Sequence, residues 1–296
     1  MVIIIDSNYI GYQALYSVGD LSSSVGATGV IFGFLSRILS FSEMFKTNDF
    51  IFCWDSKHSR RKLKHPFYKD RNKNKTDEEK ERLKEAFIQF NLLREEILPG
   101  IGFANIFQQV GYESDDIMAR IVSDSNDDFM IVSSDEDLYQ LLIDCKMYNP
   151  TQRTMMTAAR LKDDYNVSPA EWVAVKAIGG CTSDTVPGVA PGIGEKTAIK
   201  YLRNQLKEDS VKFKAIKENL DIKTRNEWLV RLPLPGTNSC TLRKNNFNKE
   251  YFWEMCAKFQ FNSFLDVDGK QRWESFFSDN GLSALNTKIL NAMRKK

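Results

Sequence analysis

The sequence has only two histidines and no CxxC pair, and no apolar run in it approaches the roughly 20 residues needed to span a bilayer. Five widely scattered cysteines (Cys53, Cys145, Cys181, Cys240 and Cys256) with so few histidines exclude a conventional structural zinc site. Their odd number fits a reducing compartment rather than a disulfide framework. The N-terminal MVIIIDSN carries five apolar residues before an aspartate, too few for a secretory leader, so a cytoplasmic location away from membranes is expected. Net charge is also small, +2 over 296 residues, which removes any argument for nucleic acid from overall charge.

The charges that are present are segregated. From Lys57 to Lys75 there are nine Lys or Arg and one acid, Asp70, with Phe67 and Tyr68 interleaved. Such a stretch attracts a polyanion, and its aromatics favour nucleic acid over a merely solvated loop. His58 and His65 read as members of this basic surface. Acids cluster elsewhere, at Asp6, Asp55, Glu113 with Asp115 and Asp116, Asp135 with Asp137, and Asp184.

Short β-type runs, VIII (2–5), FIFCW (50–54), FANIFQQ (103–109) and FMIVSS (129–134), alternate with segments of helical period. This is an α/β pattern with a mostly parallel central sheet flanked by helices. Val30, Phe34, Ile38 and Phe41 mark one helix. A second starts at Thr76, where T-D-E-E forms a capping box with Glu79, and carries Leu83, Phe87, Phe90 and Ile97 on one face. Helices are also expected over 114–125 and 135–143. Beyond about residue 165 strands run out: SPAEWVAVKAIGG reads as a helix, and another follows near 195–206. The expected division is therefore an α/β core over 1–165 with a basic helical arch at about 56–98, and a helical region over 166–296.

In parallel sheets the functional crevice lies at the carboxyl ends of the strands, where these acids fall. Taken singly, Asp6 or Asp135 reads equally well as the N-cap of the following helix. Together, carboxylates from several strand ends would repel one another strongly unless cations sat among them. All-oxygen ligation suits Mg²⁺ or Mn²⁺, and two such ions roughly 3.5 to 4 Å apart are a usual device for phosphodiester cleavage. The glycine-rich GGCTSDTVPGVAPGIGEKTA (179–198) has two readings: a phosphate-gripping loop ahead of a helix N-terminus, or a tight turn between packed helices that needs the same glycines.

The motifs I-D-S-N, W-D, G-Y-E-S-D-D, S-S-D-E-D-L-Y-Q-L-L and P-G-V-A-P-G-I-G-E-K-T-A, in this order, resemble the 5′ nuclease family: flap endonucleases, standalone phage 5′ exonucleases and the 5′ nuclease domain of polymerase-I-type DNA polymerases. The resemblance covers roughly 1–206, and F-W-E-M-C-A-K-F-Q-F-N-S-F-L (252–265) is similar to a later segment of the polymerase-linked members. It implies a PIN-like nuclease core and a monomeric enzyme that cuts DNA at 5′ ends, flaps or single-strand/double-strand junctions, with RNA/DNA hybrids as further substrates. A junction binder of the same fold without catalysis is the alternative.

By resemblance, Asp6, Asp55, Glu113, Asp115, Asp116, Asp135, Asp137 and Asp184 are ligands of two divalent cations. Lys69 and Arg71 engage the scissile phosphate, although the family pattern Y-K-x-x-R places the arginine one residue later. Tyr12 and Tyr68 are expected to contact DNA. So are Gly192, Gly194, Lys196 and Thr197 of a helix-hairpin-helix element at about 179–206, whose loop binds K⁺ in relatives. Two departures stand out. Cys181 occupies the position of an expected aspartate, which implies a second metal site weaker for Mg²⁺ or leaning on Mn²⁺. The loop is also one residue longer than the usual P-G-V-x-G-I-G.

Overall fold

A computed structural model describes residues 1–70 and 75–278. Its centre is a six-stranded sheet of β1 (Val2–Asp6), β2 (Phe50–Trp54), β3 (Ile106–Gln108), β4 (Phe129–Val132), β5 (Cys145–Asn149) and β6 (Thr154–Met156). The order is β3-β2-β1-β4-β5-β6, parallel throughout except for the antiparallel pair β5-β6. The first four are the strands expected from their apolar runs. The last two were not anticipated, because CKMYN and TMM are short and half polar.

The main helices are α1 (Ser7–Val18), α2 (Gly29–Phe45), α3 (Arg60–Lys64), α4 (Asp77–Leu92), α5 (Ser114–Asp124), α6 (Ala158–Tyr165), α7 (Pro169–Gly179), α8 (Glu195–Leu202), α9 (Val211–Glu218), α10 (Leu220–Val230), α11 (Lys249–Lys258) and α12 (Val267–Phe277). The Thr76–Glu79 capping box opens α4, as the sequence indicates. Leu93–Ile97 continues it as a π-helical turn, and Phe87 stays 46% exposed while Phe90 is buried. The helix expected over 135–143 is instead a short 3₁₀ segment, Glu136–Leu141. None of the described helices is long and apolar enough to cross a membrane.

A parallel strand covered on both faces buries every residue, and β1 does so completely. Ile3 and Ile5 face one core, built with α1, α2 and, from the far end of the chain, Phe252, Trp273 and Phe276. Val2 and Ile4 face the other, built with Ile117, Trp172, Ala198 and Ile216. Helices after residue 166 thus contribute to the core on both faces of the sheet.

Strand order reverses at β1, with β2 on one side and β4 on the other. The carboxyl ends of β1 and β4 diverge into opposite crossovers there and leave a crevice.

Candidate metal centre

Asp6 ends β1 and Asp135 follows β4, so both stand at this crevice. Each also caps the helix or turn behind it: Asp6 accepts from the Tyr9 amide at 3.2 Å and Asp135 from the Asp137 amide at 2.9 Å. Capping and a place in the crevice therefore coincide. The second oxygen of Asp6 accepts from Ser133 Oγ at 2.8 Å. Asp55, after β2, is held by the amide of Ser114 at 2.8 Å, and its own amide donates to Asn8 Oδ1 at 2.9 Å. Asp115 lies in the first turn of α5 and is buried.

A cleft of about 640 Å³ opens over these groups. Of the eight expected carboxylates, Asp6, Asp55, Asp115, Asp135, Asp137 and Asp184 line it. The remaining two do not. Glu113 sits just behind the cleft, with Oε1 accepting from Ser59 Oγ at 2.9 Å and Oε2 from Tyr68 Oη at 2.9 Å and Lys69 Nζ at 2.8 Å.

Asp116, also expected as a ligand, is not among the residues that line the cleft. It is fully buried, and its oxygens accept from Arg61 at 2.6 and 2.7 Å, from the Leu234 amide at 2.8 Å and from the Glu113 amide at 3.2 Å. These four donors engage both oxygens. Arg61 was missed by sequence reasoning, because nothing in a basic run marks a member that is buried.

The Lys69 ammonium enters the cleft a third exposed, with Asp184 Oδ2 3.8 Å away as well as Glu113. Arg71 lies outside the described residues. Tyr12 is half-buried, lines the cleft, and packs edge-on against Phe87 and Phe90. Tyr68 is no surface contact: it is 3% exposed, packs with Val173, Val186 and Leu229, and its hydroxyl ties Glu113 to Asp184.

The glycine-rich loop divides between its two readings. Gly180 (φ +79°) is required by packing, since a Cβ there would come within 2.5 Å of the Gly188 amide. Gly192 and Gly194 are exposed, and a Cβ on either would meet nothing, although the φ of +76° at Gly192 favours glycine there on backbone grounds. Gly194 is the N-cap of α8, and Lys196 and Thr197 lie in that helix's first turn. Lys176 was also missed, although a single cation in the apolar helix PAEWVAVKAIG was a readable sign. It is buried and bridges Glu136 and Glu195 at 3.2 Å each.

Burial, with Asp55 beside it, pushes Asp6 up to about 7, and burial with Asp135 nearby pushes Asp137 up to about 7. Asp55 and Asp115 are raised for the same first reason, loss of solvation, with neighbouring carboxylates adding to it. Glu113 goes the other way, to about 2, because Lys69 and Arg61 outweigh its burial. The folded protein therefore holds protons on Asp6 and Asp137 that the unfolded chain has released, and stability without divalent ions is expected to fall as pH rises from about 4 to about 7. Thermal unfolding in EDTA across this window checks the sign; a midpoint that climbed through it would contradict the carboxylate arrangement.

One buried oxygen in the cleft is weakly satisfied. Asp137 Oδ1 has no hydrogen-bond partner, and the nearest ammonium, on Lys176, is 3.9 Å away. It lies in a group with Cys181 and Asp184 whose ligand atoms are within 4.8 Å of one another.

Comparison with known proteins bears on family and fold. The profile of the 5′-3′ exonuclease, N-terminal resolvase-like domain, matches residues 1–166. The chain belongs to this 5′-3′ exonuclease family. A 5′-3′ exonuclease of Buchnera aphidicola is 26% identical over 257 residues, covering 85% of this chain and 83% of its own. DNA polymerase I of Caldicellulosiruptor bescii is 28% identical over 291 residues, covering 89% of this chain, which spans only 33% of that polymerase's length. The fold matches a T5 5′-exonuclease solved with zinc bound (TM-score 0.66, 22% identity, 93% of this chain and 99% of that one). It also matches flap endonuclease-1 from Methanococcus jannaschii (TM-score 0.55, 15% identity, 97% and 93%).

Proposed function

We propose that this member of the 5′-3′ exonuclease family is a metal-dependent nuclease that hydrolyses DNA phosphodiester bonds at 5′ ends, flaps and single-strand/double-strand junctions, with RNA primers as further substrates. The observation that carries this reading is the convergence of six carboxylates from separate strand ends and loops on one cleft. Asp6, Asp55, Asp115 and Asp135 would hold one Mg²⁺ or Mn²⁺, and Asp137 and Asp184, beside Cys181, a second divalent ion. Bound there, the ions supply an activated water and stabilise the leaving oxygen.

The chain's own groups do the positioning. Lys69 brings a cation to the scissile phosphate, and Arg71 is assigned the same task by resemblance. A groove of about 1070 Å³ adjoins the cleft, sharing Asn8, Tyr12 and Asp55 with it, and carries Phe87 and Ile88 under a rim of Lys57, Lys75, Lys84 and Arg94. Aromatic surface between cations suits the unpaired strand. Gly192, Gly194, Lys196 and Thr197 offer a bare backbone and a helix N-terminus to the duplex phosphates, the helix-hairpin-helix role, with K⁺ at the loop. No part of this requires a second copy, so the active species is taken as a monomer.

The direct test is cleavage of a 5′-labelled flap with and without EDTA. A product that forms only when divalent ions are present supports the nuclease; tight junction binding with no product at high protein concentration supports the binder instead. The second site should also show its cysteine: replacing Cys181 with aspartate is expected to lower the Mg²⁺ concentration needed for half-maximal cleavage far more than the Mn²⁺ concentration. Identical midpoints for the two proteins would remove Cys181 from the metal chemistry.

A further inference from the structure

Asp137 comes from the 3₁₀ turn after β4, Cys181 follows α7, and Asp184 lies three residues further along the loop; all three are buried. Their Sγ and carboxylate oxygens converge to within 4.8 Å. A tetrahedral ion with Zn–S of 2.3 Å and Zn–O near 2.0 Å would set them about 3.5 Å apart, so modest closure completes the site. Asp137 Oδ1, buried with no hydrogen bond and only the Lys176 ammonium 3.9 Å away, is the group that such closure would satisfy.

We propose that Asp137, Cys181 and Asp184 form a sulfur–oxygen–oxygen site selective for a borderline-soft divalent ion of the zinc class, so that the cleft carries unlike metals: a hard ion in the all-oxygen set and a thiophilic one beside it. Mg²⁺ demands a near-octahedral shell of hard oxygen donors, whereas a thiolate with two carboxylates and one open position is a donor set that zinc accepts. Binding exchanges the Sγ–H bond for an S–metal bond and releases the proton to solvent. Ser183 Oγ, 2.9 Å from Sγ, holds the sulfur in place beside the two carboxylates. The pairing with a hard ion rests on the nuclease reading; the selectivity of the three-residue site does not.

The test uses Cd²⁺ as a spectroscopic stand-in on the full-length protein and reads the ultraviolet thiolate-to-metal charge-transfer band. One equivalent of Cd²⁺ is expected to give the band, Zn²⁺ to abolish it by competition, and a large excess of Mg²⁺ to leave it. Cys181→Ser should lose the band and weaken Zn²⁺ binding by at least about tenfold, the lower end of what even an outer-sphere partner is worth, while unfolding at the parent's temperature in EDTA. Cys181→Asp should lose the band and gain Mg²⁺ affinity. A band that survives Cys181→Ser would come from the partly exposed Cys145 or Cys240 and overturns the proposal. Metal-dependent cleavage without any band overturns it while sparing the nuclease; a band without cleavage supports it and sinks the nuclease.

Discussion

Asp115→Asn is expected to lower single-turnover cleavage of a 5′ flap by about a thousandfold in Mg²⁺, since the carboxylate's share in positioning a Lewis acid is worth several kcal/mol in the transition state. The same variant should be more stable than the parent in EDTA. Asp115 is buried among Asp135, Asp6 and Asp55, with its pKa held well above the carboxylate range by lost solvation first and these like charges second. Neutralising it removes a repulsion that the folded chain bears only because the site is used. Rate and melting temperature thus move in opposite directions, which separates a ligand from a packing residue: a structural role would lower both. An unchanged rate in Mg²⁺ would take Asp115 out of the site.

Asp116→Ala is expected to act on the fold. It would strand the Arg61 guanidinium, 2% exposed, which also donates to the carbonyls of Leu229 at 2.7 Å and Arg231 at 3.1 Å. Removing one partner of a buried pair costs about 3 to 5 kcal/mol. At roughly 2 to 4 °C per kcal/mol for a chain of this size class, the melting temperature should drop by about 10 °C. The double variant Asp116→Ala/Arg61→Ala should lose little more than either single one, because each alone already breaks the pair. If Asp116→Ala keeps the parent's stability in EDTA and loses divalent-ion binding, then it is a ligand, as the resemblance implies, and the pairing with Arg61 gives way when the ion binds.

These two adjacent aspartates differ for a simple geometric reason. Successive residues in the first turn of a helix point about 100° apart, so the helix that turns Asp115 into the cleft turns Asp116 into the seam between α3 and the segment after α10. The seam joins the base of the basic stretch to Leu229, Arg231 and Leu234, so the pair positions the segment that carries Tyr68 and Lys69.

Much of the architecture was legible in the chain. Apolar runs of β-branched and aromatic residues announced β1, β2, β3 and β4, a capping box announced α4, and acids at strand ends announced the crevice. Composition was enough for this because strand burial and helix capping are local demands on residue type. The order of motifs carried the family, whose profile covers residues 1–166.

Three matters needed the tertiary structure. The edge pair β5-β6 is short and only partly apolar, so its pairing depends on neighbours rather than on its own residues. Arg61, buried within the basic run, and the buried Tyr68 look like exposed residues in sequence; the approach of α7, α10 and the loop at 181–186 removes them from water. Finally, Cys181 reads in the chain as a missing aspartate, a deficit. Packing brings its sulfur beside Asp137 and Asp184 with one buried oxygen left without a donor, and so turns the deficit into a distinct set of ligand atoms. Residue types set which atoms are on offer, and long-range folding decides which of them share a site.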